Sequence, residues 1–333
     1  MVAGDRTILS NVILTQLEEH KPYGGVVPEI AARSHLDHLS LLVTQALDEA
    51  GMSFDELDAI AATTGPGLIG GVMVGMMTAK GLALSTGLPF IAINHMEGHA
   101  LAARLSEGLN FPYLALLVSG GHSQFVAVAG VGDYRIYGTT IDDAIGEAFD
   151  KTAKLLGIEF PGGPQVEILA EKGDSNKYDL PKPIFNKGGC NLSFAGLKTA
   201  VLKISKTIKS DQDKYDLAAS FQKTIEEILL KKTKIAFNQF EKINELKEKI
   251  FVVAGGVAAN KKIRSMLINL CEENDYRGIF PPIEFCGDNA AMIAMVGLEK
   301  FKLKQFNNLD YPAKPRWPLD EKAVFLKGAG VKF

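Results

Sequence analysis

Two stretches far apart in the chain share one build. "LALLVSGGHS" (114–123) and "IFVVAGGVAAN" (250–260) each run an apolar strand straight into a Gly-Gly turn. A strand that is apolar at every position has to be covered on both faces, and so calls for helices packed on a mostly parallel sheet. The repetition predicts a duplicated sheet with one glycine loop in each half. Neither loop is a Walker A motif or a G-x-G-x-x-G. Glycines at a strand end let main-chain N–H groups approach a phosphate, and they also serve as plain structural turns, so spacing leaves both readings open. The first loop adds hydroxyls from Ser119 and Ser123 and the His122 imidazole, and the second places Asn260 at the start of a helix.

The rest of the chain alternates strands and helices, which argues an α/β fold. "HLDHLSLLVTQALDEAGM" reads as an amphipathic helix ended by Gly51, and "IDDAIGEAFDKTAKLLG" as one that stops at Gly157. "YLALLVSGGHSQFVAVAG" reads as two buried strands joined by a tight glycine turn. Residues 161–215 are polar and rich in Gly and Pro, and are expected to form an inserted subdomain or a cover. Two long helices are expected over roughly 213–241. Residues 59–79 carry no charge and are long enough to span a bilayer. Five glycines and Pro66 argue instead for a buried strand, a glycine loop and a buried helix, so no membrane partner is expected. With 47% hydrophobic and 23% charged residues the composition is that of an ordinary globular protein. Three scattered cysteines without C-x-x-C spacing fit a reducing compartment such as the cytoplasm. Residues 150–265 hold 21 Lys and Arg against 14 Asp and Glu. That excess is a modest pointer to a polyanionic partner, and composition alone fits the solvated faces of lysine-rich helices better.

In "IAINHMEGHALAARL" (91–105), His95 and His99 stand four apart after an apolar strand. On a helix they share a face and aim at one point, as imidazoles do when they bind zinc or iron. The peptidase signature H-E-x-x-H needs its glutamate directly after the first histidine. Met96 holds that place and Glu97 comes one residue later. Spacing alone leaves a metal site and an ordinary helix start both open. A third ligand is available in "EFCGDNAAMIAMVGLEKF", where Asp288 also stands as an N-cap would.

"KPYGGVVPEIAARSHLDHL", "TTGPGLIGGVMVG", "NHMEGH", "LLVSGGHSQ", "DDAIGEAFDKTAKLLG", "PGGP", "SFAGLKTA", "VVAGGVAAN" and "GDNAAM" together resemble the TsaD/YgjD family, whose members make threonylcarbamoyl-adenosine in tRNA. The resemblance runs from about Ile8 to Leu303. It implies the actin-like ATPase (ASKHA) fold, with two α/β lobes around a nucleotide cleft. The lobes would be residues 1–110 and 111–304, followed by a tail over 305–333. It implies His95, His99 and Asp288 as ligands of one divalent metal, Fe(II) ahead of Zn(II). Leu117, Val118, Ser119, Gly120 and Gly121 would line the substrate site, and Asp150, Gly163 and Asn260 would contact the adenylate. Glu167 falls where many members carry aspartate. The implied reaction transfers threonylcarbamoyl from threonylcarbamoyl-AMP to the N6 of the tRNA adenosine beside the anticodon, releasing AMP. No catalytic side chain is singled out. Implied partners are tRNA, a TsaB-like paralogue and a TsaE-like ATPase. A metal-dependent glycoprotein peptidase and an actin-fold small-molecule kinase are the rival functions.

One departure stands out. Family members normally open with a strand and turn of the type G-I-E-[ST]-S-C-D-[DE]-T, whereas this chain begins "MVAGDRTILSN". The expectation is a shortened form of a longer protein, whose first lobe lacks a central strand and which is less stable, aggregation-prone and impaired in nucleotide binding; the alternative is a rebuilt lobe in which residues 1–15 or a partner supply the strand.

Overall fold

A computed structural model describes residues 1–23, 26–159, 161–243 and 246–323; the last ten residues of the expected tail lie outside the described residues. In chain order the elements are α1 (Leu17–His20), α2 (Pro28–Ala50), β1 (Ile60–Gly65), α3 (Ile69–Thr86), β2 (Phe90–Asn94), α4 (His95–Glu107), β3 (Tyr113–Val118), β4 (Ser123–Gly130), β5 (Asp133–Thr139), α5 (Ile145–Leu155) and α6 (Gly162–Ala170). There follow α7 (Ala195–Ser205), α8 (Asp211–Ile243), β6 (Ile250–Ala254), α9 (Lys261–Glu273), β7 (Arg277–Ile279), α10 (Ile283–Cys286) and α11 (Ala290–Lys302).

The strands form two sheets, a parallel pair β1-β2 and a five-stranded sheet in the order β5-β4-β3-β6-β7. The duplicated units are not one to a half. β3 and β6 are parallel neighbours, with Leu114 opposite Phe251 and Leu117 opposite Ala254. Both glycine loops therefore leave the same end of the same sheet, side by side. Sequence could show that two strands are alike, but not that they pair.

Period-2 alternation sorts the core. Leu114, Leu116 and Val118 of β3 and Phe251 and Val253 of β6 face one cluster with α5, α7, α8 and α9. Tyr113, Ala115 and Leu117, with Ile250, Val252 and Ala254, face a second cluster with β2, α4 and Val296 of α11. Both faces are covered, which is why these strands are apolar throughout. Although α11 comes late in the chain, it packs across onto β1, β2 and α4.

Helix stops follow the sequence. α2 ends at Gly51, which adopts the left-handed conformation (φ 63°), and Gly157 (φ 74°) follows α5. The expected pair of helices over 213–241 is the single α8 of 33 residues. The polar stretch 161–215 is not plain cover, since α6 packs on α5 and α8. The uncharged segment forms β1 and α3, but α3 is not a buried helix. Met76, Ala79, Lys80 and Ala83 are its buried residues, while Ile69, Met73, Met77 and Leu84 are exposed.

Among the described residues β1 has β2 as its only strand partner. The tail reaches its end, where Lys314 N–H donates to Thr64 O (2.7 Å) and Gly67 N–H to Pro315 O (3.2 Å). Asn94 Nδ2 then donates to Trp317 O (3.1 Å), and Ile136 N–H to Asp320 (3.0 Å). Residues 1–10 do not lie along β1. Val2 and Ile8 pair with each other and pack against Leu105, Ala291 and Met295.

Candidate functional site

β2 ends at Asn94, whose side chain accepts the Met96 N–H (2.9 Å) and caps α4. The helix therefore opens at His95, and His99 sits one turn on. α11 is capped by Asn289, which accepts the Met292 N–H (2.9 Å). Asp288 is thus not the N-cap that its position suggested, and its carboxylate is left to turn toward α4. Asp288 Oδ1 lies 3.3 Å from His95 Nε2 and 3.0 Å from His99 Nε2. The imidazoles meet edge to face with centroids 4.9 Å apart, and the donor atoms of the three residues all fall within 4.8 Å of one another.

His99 is buried while the Asp288 side chain is 75% exposed, so the cluster opens to solvent on one side. Although much of the Asp288 side-chain surface is open, the atoms packed around the carboxylate displace water and work to raise its pKa; the hydrogen bonds and charges of His95 and His99 prevail and hold it well below the usual carboxylate range. His99 Nδ1 is buried and has no hydrogen-bond partner among the described residues. Two imidazoles and one carboxylate on one face, with an open side, suit one divalent ion that keeps free coordination positions.

The glycine loops adjoin this cluster. Ser119 N–H donates to His122 O (2.8 Å), and Ser119 Oγ accepts the His122 N–H (3.1 Å), closing a tight turn. Burial, and after it the nearby His95 and His99, lower the His122 pKa to about 4, so its imidazole is neutral at pH 7. On the other side Gly255 abuts the end of β3. A Cβ there would stand 2.4 Å from Val118 O, so only glycine admits the two loops side by side. The side chains of Leu117 and Val118 are core residues, which leaves their main chain alone to face a ligand. Gly120 and Gly121 border open space.

The remaining expected residues form one wall beyond the loops. Asp150 Oδ1 accepts the Gly162 N–H (2.9 Å), tying α5 to the start of α6, where Gly163 also lies. Burial raises the Asp150 pKa against the lowering effect of the Gly162 and Gly163 N–H groups. Glu167 Oε1 accepts the Lys261 N–H (2.6 Å) at the start of α9. Asn260 caps α9 by accepting the Ile263 N–H (3.0 Å), and its Nδ2 donates to Gln222 (3.1 Å). The structure thus brings His95, His99 and Asp288 together at one end of the loops and Asp150, Gly163, Glu167 and Asn260 together at the other.

Sequence reasoning missed the acidic pair beside this wall. Asp142 accepts the Phe194 N–H (2.7 Å) and the Ser193 hydroxyl. Asp143 pairs with Lys151 (2.7 Å) and lies 3.4 Å from Lys198. These contacts fasten "SFAGLK" to "DDAIGEAFDK", two motifs whose long separation hid the pairing. The basic excess of the central segment is partly internal, since Lys182, Lys214 and Lys249 have acidic partners and Lys232 is buried. Lys203, Lys206 and Lys209, on and just after α7, are exposed.

A family model described as TsaD, tRNA N6-adenosine threonylcarbamoyltransferase, matches residues 7–295. A protein of Pelagibacter ubique with that name is 67% identical over 329 residues, covering 99% of this chain and 92% of the relative. One of Brucella suis with the same name is 52% identical over 330 residues, covering 98% and 92%. Among solved structures, full-length HypF in its phosphate- and nucleotide-bound form matches with a TM-score of 0.57 at 11% identity, over 81% of this chain and 42% of that one. HypF of T. kodakarensis matches with a TM-score of 0.55 at 13% identity, over 79% and 43%. At such identities the likeness is one of fold.

Proposed function

The chain belongs to the TsaD family of tRNA N6-adenosine threonylcarbamoyltransferases, and on that premise we propose that the two ends of its glycine-loop cleft hold the two ends of one transfer reaction. The fold is actin-like, and we take residues 1–110 and 111–304 as its lobes and 305–333 as the tail. The enzyme transfers a threonylcarbamoyl group to the N6 of a tRNA adenosine. The donor in this reading is threonylcarbamoyl-AMP, and the acceptor is the adenosine beside the anticodon. The amine nitrogen bonds to the carbamoyl carbon, the carbon–oxygen bond to phosphate breaks with its electron pair leaving on AMP, and the amine loses a proton.

The carbonyl of such a mixed anhydride is already activated, so the protein's task is to align the amine and stabilise developing oxyanion charge. The main chain of Leu117–Gly121 is placed to meet the phosphate and acyl oxygens, with the open space beside Gly120 and Gly121 for the group itself. Asp150, Gly163, Glu167 and Asn260 would receive the adenylate. His95, His99 and Asp288 would hold one divalent ion, Fe(II) in preference to Zn(II), which when bound supplies Lewis acidity toward oxygen. No thiol competes as a nucleophile. Cys190, Cys271 and Cys286 are buried, and burial pushes the first two up to about 11 and 12.

The observation that carries this reading is that both glycine loops leave the same end of the β3-β6 pair and that His122, in the first loop, lies close enough to the His95–His99–Asp288 cluster to feel its charge. The peptidase alternative loses its base, because Glu97 is buried and bonded to Tyr134 and Lys300. We also propose a TsaB-like paralogue and a TsaE-like ATPase as partners, in the cytoplasm where tRNA is found. Leu36 and Leu41 of α2 and Ile69, Met73 and Met77 of α3 are exposed and offer a partner an apolar surface to cover. The test is mass analysis of nucleosides from tRNA incubated with this protein, those partners, ATP and threonylcarbamoyl-AMP. Threonylcarbamoyladenosine is the expected product, and unmodified adenosine would overturn the reading. Equal yield without the partners would overturn their part in it.

A further inference from the structure

Glu97 belongs to the same motif as the two metal-site histidines but points elsewhere. At about 100° per residue, His95 and His99 lie about 40° apart around α4, and Glu97 lies about 180° from their mean direction. The spacing H-x-E-x-H thus sets the carboxylate on the back of the helix that carries the imidazoles. There it is fully engaged. Tyr134 OH, from β5, donates to Glu97 Oε1 (2.9 Å). Lys300 Nζ, from the last turn of α11, donates to Glu97 Oε2 (2.7 Å) and also reaches Ala92 O in β2 (3.4 Å). The carboxylate side chain is 3% exposed and the lysine 13%.

α11 is also the helix that follows Asp288, so the partner that holds the back of α4 belongs to the element that delivers the third ligand to its front. The two helices touch closely. A Cβ on Gly98 would lie 2.9 Å from Ile293 Cδ1 and 3.3 Å from Met292 Cγ. A second ion pair, Arg104–Glu299 (2.7 Å), joins the same helices, and both its side chains are about 15% exposed. A close helix contact without directional bonds tolerates rotation and sliding, whereas buried ion pairs are best attested as devices that fix register.

We propose that Glu97 is the positioning residue of the metal centre, setting through Tyr134 and Lys300 the rotation of α4 and its register on α11 at which His95, His99 and Asp288 converge. The inference rests on reading those three residues as a metal site. Groups hydrogen-bonded directly to metal ligands typically change metal affinity 10–100-fold when removed, and Glu97, which reaches the ligands only through the helix, is expected to act in the lower part of that range.

The test is titration of the purified, metal-stripped protein with Co(II), followed by visible absorption and by competition with a chelator. Glu97→Gln should weaken Co(II) binding by about tenfold and change the absorption bands. The double variant Glu97→Met/Lys300→Met replaces the pair with apolar side chains of similar volume. It should unfold thermally near the wild type and still lose affinity, because packing alone does not set the angle. Tyr134→Phe removes a single hydroxyl and should lose a smaller part. A folded Glu97 variant with wild-type affinity and absorption would overturn the positioning role. Asp288→Ala separates the two readings. If it loses Co(II) while Glu97→Gln keeps it, the positioning role alone fails. If it binds as the wild type does, the metal site fails and the positioning role with it.

Discussion

At the scale of single residues, small changes of position separate the chemistry from its look-alikes. Moving a glutamate by one place turns a peptidase signature into a back-face anchor. A neighbouring asparagine that takes the helix cap releases Asp288 for the imidazoles. The histidine pair was legible in sequence because i,i+4 spacing fixes a shared face, whereas Asp288 was ambiguous because Asp and Asn cap helices almost equally well. Two predictions belong here. Gly120 borders open space at an exposed turn, so Gly120→Val should leave thermal stability nearly unchanged and abolish adenylate binding by filling the room a phosphate needs. Calorimetry with unchanged affinity would contradict this. Asp143 tests the acidic pair. Burial works to raise its pKa, but Lys151 and Lys198 prevail and hold it below the ordinary value of 3.8. Its contribution is therefore fully present above about pH 4 and is lost as pH falls through the lowered folded value. Asp143→Asn should cost about 1–2 kcal/mol at pH 7, less than a fully buried pair because both lysines reach solvent. In denaturant unfolding the gap to wild type should close as the pH drops below 3.8; a constant gap would count against the pairing.

At the scale of elements, strands and helix stops are more legible in sequence than the elements they pack against. Gly51 and Gly157 end helices by local rules that need no tertiary information. α8 was misread as two helices because lysines at 231 and 232 interrupt its apolar period. Lys232 is in fact buried, with its ammonium donating to the carbonyls of Lys187 (2.9 Å) and Gly189 (3.1 Å), a use of charge that no periodicity reveals. α3 was misread as buried because it is apolar all round, yet half of that surface faces outward. Lys203 on α7 and Lys206 and Lys209 just after it are exposed, close after the "SFAGLK" motif. Changing all three to glutamate should weaken tRNA binding by at least tenfold at low salt and flatten its salt dependence, since phosphate contacts dominate that dependence. An unchanged slope in filter binding across a salt series would make them an ordinary solvated face.

At the scale of the whole molecule, the pairing of β3 with β6 decides the outcome. It places two glycine turns side by side, with the neutral His122 of the first turn near His95, His99 and Asp288, while α11 returns to α4 with Asp288. The pairing of β3 with β6 and the return of Asp288 to α4 each close a loop of more than a hundred residues. The account's central claim is that this convergence is a three-ligand site for one divalent ion. Elemental analysis of protein purified anaerobically, wild type beside Asp288→Ala, tests it most directly. The account predicts about one equivalent of metal per chain in the wild type and near-complete loss in the variant, because two imidazoles alone hold a divalent ion poorly. Full occupancy in the Asp288→Ala protein would contradict it.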